Sequence, residues 1–158
     1  MAINNITKLI LSIALPLAVG GISGYFTAEA IPTWYATLKQ PSFNPPNWIF
    51  APVWTTLYIL MGVGLYLIWK MPATDERDLA IISFLIQLLF NFAWSFYFFY
   101  LKNIPFALVV IIALWLAIAA MLFLFYKQKP IAAYINIPYL CWVSFATVLN
   151  FAYFQLNG

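Results

Sequence analysis

Residues 106–126 read FALVVIIALWLAIAAMLFLFY and contain no charged side chain. A helix needs ~20 consecutive apolar residues to cross the hydrocarbon core of a bilayer, so this run predicts a membrane-spanning helix. Four more apolar runs of similar length occupy about 6–26, 48–69, 79–100 and 131–154. The sequence therefore predicts an all-α integral membrane protein, a bundle of five transmembrane helices.

The composition of the whole chain agrees with this fold class. Of 158 residues, 66% are hydrophobic and 7% are charged, and the mean hydropathy is +0.94. A soluble domain is roughly half apolar and a quarter charged, so lipid must be the solvent for most of this surface. Strand-like alternation is absent from the apolar runs, which argues against a membrane β-barrel. We expect one membrane domain over residues 1–158.

Several kinds of chemistry are excluded by the residue types present. The chain has no histidine and a single cysteine, Cys141, so a classical metal cluster, a Ser-His-Asp triad and an internal disulfide cannot be assembled. The seven basic residues form no patch, and we expect no nucleic-acid partner. The charged residues Glu29, Lys70, Arg77 and Lys102 fall at span ends, which argues against proton-coupled transport or voltage sensing.

The orientation in the membrane follows from the basic residues of the connections. Short connections make sequential helices antiparallel, so the N-terminus and the 70–78 and 127–130 turns share one side. That side carries five basic residues: Lys8, Lys70, Arg77, Lys127 and Lys129. The other side carries Lys39 and Lys102. The positive-inside rule predicts a cytoplasmic N-terminus and an outward-facing 28–47 loop in a bacterial membrane.

The 28–47 loop is unusually rich in aromatic residues and proline. Residues 34–58, which include its second half, read WYATLKQPSFNPPNWIFAPVWTTLY and hold three of the seven tryptophans and four of the ten prolines. Proline restricts the backbone of its own and the preceding residue. We predict a stiff lid over an aromatic pocket inside the bundle. In the span before it, Gly20 and Gly24 form a GxxxG spacing, which suits close helix packing within the bundle or between two copies.

A sparse polar stripe marks one face of the third span. Gln87, Asn91 and Ser95 recur at i, i+4 and i+8, and an unpaired amide is costly in hydrocarbon. The stripe should therefore face the bundle interior. Two interpretations remain open, namely hydrogen bonds that hold the helices together and contacts to a ligand.

Aromatic side chains lie about two turns inside two of the spans. Trp54 and Tyr58 share a face of the second span, and the small Ala146 lies one turn from Trp142 on the fifth. We expect Trp54 and Trp142 at similar membrane depths, where they suit a flat apolar ligand with one or two polar substituents. Aromatic residues at span ends are interpreted instead as interfacial anchors: Trp48, Trp69 and Tyr126.

Taken together, these motifs resemble the TspO/translocator protein family, also called the peripheral-type benzodiazepine receptor family. The resemblance is carried by residues 34–58, by NFAW at 91–94 and by PYLCWVSFATVLN at 138–150, and it covers all five spans. It implies a five-helix bundle, often a homodimer, that binds porphyrins, sterols and synthetic isoquinoline or benzodiazepine ligands. It implies no cofactor.

The resemblance also implies a set of ligand contacts. They are Gly24, Thr27, Tyr35, Pro45, Phe50, Ala51, Trp54, Asn91, Trp94, Trp142, Ala146 and Leu149, with Val109 and Ala113 added from the fourth span. Some bacterial members degrade protoporphyrin in light, which makes Trp54 and Trp142 the candidate catalytic residues. The sterol motif of animal members places a basic residue after a tyrosine, whereas Tyr153 is followed by Phe-Gln-Leu-Asn-Gly. This departure argues against cholesterol as the natural ligand.

The functional expectation is a sensor or carrier that binds porphyrin-type tetrapyrroles and other flat hydrophobic molecules in the pocket. The alternatives are a weak light-dependent porphyrin-degrading enzyme, a sterol or lipid binder, and a scaffold subunit whose aromatic residues only pack. An oxidative reaction at the indoles is the one enzymatic activity compatible with these residues.

Overall fold

The computed structural model describes residues 3–158, which form a bundle of five long helical segments, here called crossings. Each crossing is long and apolar enough to span a membrane, which confirms the predicted five-helix membrane protein. The helices are α1 (Asn5–Ala30), α2 (Phe50–Trp69), α3 (Asp75–Ser95), α4 (Ile104–Gln128), α5 (Pro130–Tyr134) and α6 (Ile137–Asn157). The short α5 and the long α6 together form the fifth crossing.

The charged segment at 75–78, interpreted from the sequence as a turn, is the first turn of α3. Thr74 caps this helix, because its side chain accepts a hydrogen bond of 3.2 Å from the backbone N–H of Arg77. Three acidic residues occupy that turn, where the positive end of the helix dipole stabilises negative charge. The helix therefore begins at Asp75, four residues before the apolar run.

The fifth crossing, predicted as one continuous span, is broken near its start. Pro138 has no N–H, and its ring clashes with the carbonyl four residues earlier in a continuous helix, so the chain bends between Tyr134 and Ile137. Asn136, fully buried at this bend, donates from Nδ2 to the Ala132 carbonyl at 2.9 Å. Gly64 of α2 lies directly against the Asn136 amide, and a side chain there would collide with it.

The end of α3 widens into a π-helical turn over Phe96–Tyr100. The backbone N–H of Leu101 donates to the Phe96 carbonyl at 2.9 Å, five residues back. Phe98 and Phe99 are both buried, since the wider turn directs consecutive rings towards the interior. Lys102 (φ 56°) reverses the chain into α4.

Close packing of α1 against α2 depends on glycine. Gly62 lies against the backbone of Ser12 and Ile13, where a Cβ would come within 2.7 Å of the Ser12 carbonyl oxygen. Gly20 packs against the Tyr58 ring, whereas Gly24 faces open space. Of the two GxxxG glycines of α1, Gly20 is thus used for close packing inside the bundle.

The buried apolar residues form two clusters along the bundle axis. The larger one joins α2, α3, α4, α5 and α6 and includes Met61, Phe84, Ile111 and Phe125. The smaller one lies under the lid and is mostly aromatic, with Tyr35, Phe98, Phe99 and Tyr153 among its members. The first holds the bundle together, and the second connects the lid to it.

Candidate ligand-binding site

The lid spans residues 31–49 and contains two short 3₁₀ turns, Tyr35–Thr37 and Asn47–Ile49. Tyr35 anchors it: the side chain is 2% exposed, and its ring centroid lies 5.2 Å from that of Tyr153. Its hydroxyl donates to Asn44 Oδ1 at 2.9 Å within the lid. Burial raises the pKa of the Tyr35 phenol, since the phenolate would lose its hydration. The anchor is therefore uncharged at neutral pH.

A second attachment joins the lid to the end of α6. The Asn157 side chain accepts from the backbone N–H of Lys39 at 2.8 Å and donates to the Lys39 carbonyl at 3.0 Å. Both bonds involve the main chain of Lys39, so the amide pairs with the lid as a neighbouring strand would. We call this pair of bonds the latch.

The larger cavity lies between α1, α2 and α3, is bordered by Ile31 and Asn47 at the two ends of the lid, and has a volume of about 350 Å³. Glycine and other small residues of α1 form one wall, and aromatic rings of α2 and α3 form the other. Its lining consists of Leu17, Gly20, Gly21, Ser23, Gly24, Thr27, Ala28, Ile31, Asn47, Phe50, Ala51, Trp54, Thr55, Tyr58, Asn91, Trp94, Ser95 and Phe99.

A smaller cavity of about 30 Å³ lies between α2, α3 and α6. Its lining consists of Tyr35, Phe50, Trp54, Trp94, Phe98, Phe99, Trp142, Phe145, Ala146, Leu149, Asn150 and Tyr153. Four residues line both cavities and form the wall between them: Phe50, Trp54, Trp94 and Phe99. The single pocket expected from the sequence is therefore divided in two.

Eleven of the twelve ligand contacts implied by the resemblance line one or both cavities. Gly24, Thr27, Ala51 and Asn91 line the larger one; Tyr35, Trp142, Ala146 and Leu149 line the smaller one; Phe50, Trp54 and Trp94 line both. Pro45 lies in the lid and lines neither. Val109 and Ala113 of α4 also line neither, and Val109 is 61% exposed on the outer surface of the bundle.

The polar stripe of α3 faces inward, as predicted. The Tyr58 hydroxyl donates to Asn91 Oδ1 at 2.7 Å, and Asn91 Nδ2 donates to the Tyr139 hydroxyl at 3.0 Å. Tyr139 in turn donates to Gln87 Oε1 at 2.7 Å. This chain links α2, α3 and α6 and uses both polar atoms of Asn91. Of the two interpretations, the arrangement favours helix-to-helix hydrogen bonding.

The aromatic rings form a continuous surface around the shared wall. The Trp54 ring stacks on Tyr58 at 5.6 Å between centroids and lies 6.0 Å from Trp94. Trp142 lies 6.2 Å from Phe50 in an edge-to-face arrangement. Trp54 and Trp142 both line the smaller cavity, and their common membrane depth stays a prediction.

The chemistry of the two linings is almost entirely apolar. None of the described residues that line them is acidic or basic, and the described chain contains no group of His, Cys, Asp and Glu that could hold a metal ion. The indole N–H of Trp142 is buried and has no hydrogen-bond acceptor among the described residues. The arrangement can hold a flat hydrophobic molecule that offers an acceptor.

Sequence reasoning missed part of the lining. Ser23 lies one turn before Thr27 on α1, so helical spacing alone could have found it. Ser95 was placed on the inward-facing stripe of α3 but not among the implied ligand contacts. Phe98 lies one turn after Trp94 and Asn150 one turn after Ala146, so the same spacing indicates both. Phe99 had no such signal, because the π-helical turn shifts the facing of the residues after Phe96.

Comparisons with known proteins agree with this architecture. The sequence profile of the TspO/MBR family matches residues 12–156. The chain is 44% identical over 155 residues to the tryptophan-rich protein TspO of Archaeoglobus fulgidus, covering 98% of this chain and 99% of that protein. It is 39% identical over 126 residues to the human translocator protein, covering 78% and 75%.

A bacterial relative gives the same result. The tryptophan-rich sensory protein of Cereibacter sphaeroides is 36% identical over 124 residues, covering 78% of this chain and 77% of that protein. The family profile, matched over residues 12–156, reaches all five crossings and the lid, and it confirms the family suggested by the sequence motifs. The chain therefore belongs to the TspO/MBR family of integral, multi-pass membrane proteins.

Proposed function

We propose that this protein binds porphyrin-type tetrapyrroles and other flat hydrophobic molecules inside the bundle, as a sensor or carrier. The observation that carries the proposal is the larger cavity, about 350 Å³ in volume, walled by Trp54, Trp94 and Tyr58 and bordered by the two ends of the lid. Ligand sites of small molecules measure ~300–1,000 Å³ and are mainly apolar with few polar groups. The larger cavity meets both criteria.

The aromatic wall supports a planar ligand in particular. Aromatic pairs contribute ~0.5–1.5 kcal/mol beyond the burial of their area, and the Trp54, Tyr58 and Trp94 rings lie side by side. A ligand that extended into the smaller cavity and carried a carbonyl or carboxylate would supply an acceptor for the unpaired N–H of Trp142, and a buried donor without an acceptor is costly. Tetrapyrroles with acidic substituents combine both features.

The experiment is a titration of the purified protein with protoporphyrin, followed by quenching of tryptophan fluorescence. We expect saturable quenching for the wild type and weaker binding for the double variant Trp54→Phe with Trp142→Phe. Trp48→Phe is the matched control, because Trp48 is 74% exposed and lines neither cavity. Unchanged affinity in the double variant would count against the proposal.

The same samples separate binding from turnover. Under illumination, loss of the Soret absorption with a discrete product in the wild type alone would assign a porphyrin-degrading activity to Trp54 and Trp142. Stable absorption alongside saturable quenching would assign binding only.

For the membrane orientation, the proposal is a cytoplasmic N-terminus with the lid facing outward. Lys8 Nζ donates to the Trp69 carbonyl at 3.3 Å, which places the start of α1 and the end of α2 at one end of the bundle. The latch places the lid and the end of α6 at the other. The five-to-two distribution of basic residues between these ends supports the orientation.

A further inference from the structure

Trp94 is one of the four residues that separate the two cavities. Its indole lines both of them, lies 6.0 Å from Trp54 and meets Phe99 edge to face at 6.2 Å. A ligand that used both spaces would have to displace part of this wall. The position of Trp94 therefore contributes to whether the bundle offers one large space or two unequal ones.

A hydrogen bond from α6 holds the ring in place. Trp94 Nε1 donates to Asn150 Oδ1 at 3.0 Å. Asn150 is 2% exposed, and its Nδ2 donates to the Ile104 carbonyl at 3.3 Å, which fixes the orientation of the amide. Rotation of the indole would break the bond in a place where little water can replace it. Asn150 thus favours the divided arrangement.

The volumes of the two cavities limit the size of the ligand that can bind while Trp94 stays in place. The larger cavity, at about 350 Å³, lies near the lower end of the ~300–1,000 Å³ range of small-molecule sites. It can hold a ligand of two or three rings with Trp94 in place. A four-ring macrocycle needs more room, and the smaller cavity lies directly behind the indole.

The geometry points to Trp94, positioned by Asn150, as the partition that sets ligand size. Small flat ligands bind with the partition in place, and tetrapyrroles bind the form in which the indole has moved and the cavities have joined. This inference rests on the proposed function and adds its size selectivity. Asn150 is a positioning residue, because it acts through Trp94.

The experiment compares two probes, protoporphyrin and a phenyl-substituted isoquinoline carboxamide, on the full-length protein. Asn150→Leu removes the acceptor of the indole N–H. The apparent affinity of a ligand rises with the population of the form it binds. Loss of one interhelical hydrogen bond in a membrane should raise the population of the form with joined cavities about threefold. We expect Asn150→Leu to lower the protoporphyrin Kd about threefold and leave the isoquinoline Kd unchanged.

The control removes an equivalent bond elsewhere. Trp115 Nε1 donates to Ser144 Oγ at 2.7 Å, a tryptophan-to-α6 bond that starts from α4 instead of α3, and neither residue lines a cavity. Ser144→Ala should leave the ratio of the two Kd values unchanged. Trp94→Phe makes the partition smaller and keeps the bond from Asn150 to Ile104. It is the replacement variant for this test if Asn150→Leu does not fold. It should shift the ratio in the same direction.

Three outcomes decide the matter. A shift of the ratio towards protoporphyrin in either variant, with Ser144→Ala unchanged, supports the partition. Equal changes for both probes, or a shift in Ser144→Ala as large as that in Asn150→Leu, would overturn it. Absence of saturable protoporphyrin binding to the wild type would instead overturn the proposed function.

Discussion

At the scale of single residues, the interior of this protein depends on side chains whose polar atoms are paired across helices. Tyr139 is the centre of this pairing: it is fully buried, accepts from Asn91 and donates to Gln87. The sequence predicted that the α3 stripe faces inward, because amides in lipid need partners. It could not predict the partners, because Tyr58 and Tyr139 lie on other helices, 33 and 48 residues from Asn91 in the sequence.

Tyr139→Phe tests this pairing. The change keeps the ring but leaves the Gln87 carbonyl and the Asn91 amide N–H without partners, so we expect a loss of about 1–3 kcal/mol of unfolding free energy. Unfolding in mixed detergent micelles, followed by circular dichroism, measures it. Tyr100→Phe, at a residue that is 55% exposed, is the control. Equal stability of the two variants would show that the buried network contributes nothing specific.

At the scale of elements, local sequence signals explain where helices begin and end better than apolar runs do. The apolar run placed the start of the third span at Leu79, but the Thr74 cap and the acidic first turn start α3 at Asp75. Pro138 breaks the fifth crossing although the run around it is predominantly apolar. Both signals are present in the sequence. The latch is different, because Lys39 and Asn157 lie 118 residues apart and no local pattern joins them.

Asn157→Ala tests the role of the latch. It removes both bonds to the Lys39 main chain, so the lid should open more often and the bound ligand should dissociate about threefold to tenfold faster, equivalent to about 0.6–1.4 kcal/mol. Stopped-flow displacement of bound protoporphyrin measures the rate. Lys39→Ala is the matched control, since it keeps the main-chain groups that Asn157 binds. An unchanged dissociation rate in Asn157→Ala would show that the latch does not restrain the lid.

At the scale of the whole molecule, the lipid-facing surface and the aromatic interior are both built from apolar side chains. With 66% hydrophobic residues, the chain fills both the core and the outer surface with apolar side chains, so hydropathy reveals the spans but not which face of each lines a cavity. The family motifs supplied eleven of the 26 lining residues. The division into two cavities was not predictable, because it depends on how the Trp54, Trp94 and Phe50 rings pack.

The orientation of the bundle is testable with single cysteines. After Cys141→Ser, Ser42→Cys places a thiol on the exposed part of the lid, and Ala73→Cys places one in the exposed turn at the opposite end. We expect a membrane-impermeant thiol reagent to label position 42 from outside intact bacterial cells and position 73 only in inverted vesicles. The reverse pattern would mean that the lid faces the cytoplasm.

The central claim is that the larger cavity receives the ligand, and filling that cavity tests it most directly. Gly24 lines it, and a Cβ added there meets no neighbouring atom within 4 Å, so Gly24→Leu directs a side chain into the cavity. Ile22→Phe adds volume on the outer surface of α1, where Ile22 is 54% exposed, and serves as the control.

The measurement is the Kd of protoporphyrin for the wild type and both variants in lipid nanodiscs, with thermal unfolding recorded in parallel. We expect Gly24→Leu to raise the protoporphyrin Kd more than tenfold, a loss of about 1.4 kcal/mol of binding free energy. Its unfolding temperature should stay close to that of the wild type. Ile22→Phe should bind as the wild type does. Wild-type affinity in a folded Gly24→Leu protein would show that the larger cavity does not receive the ligand.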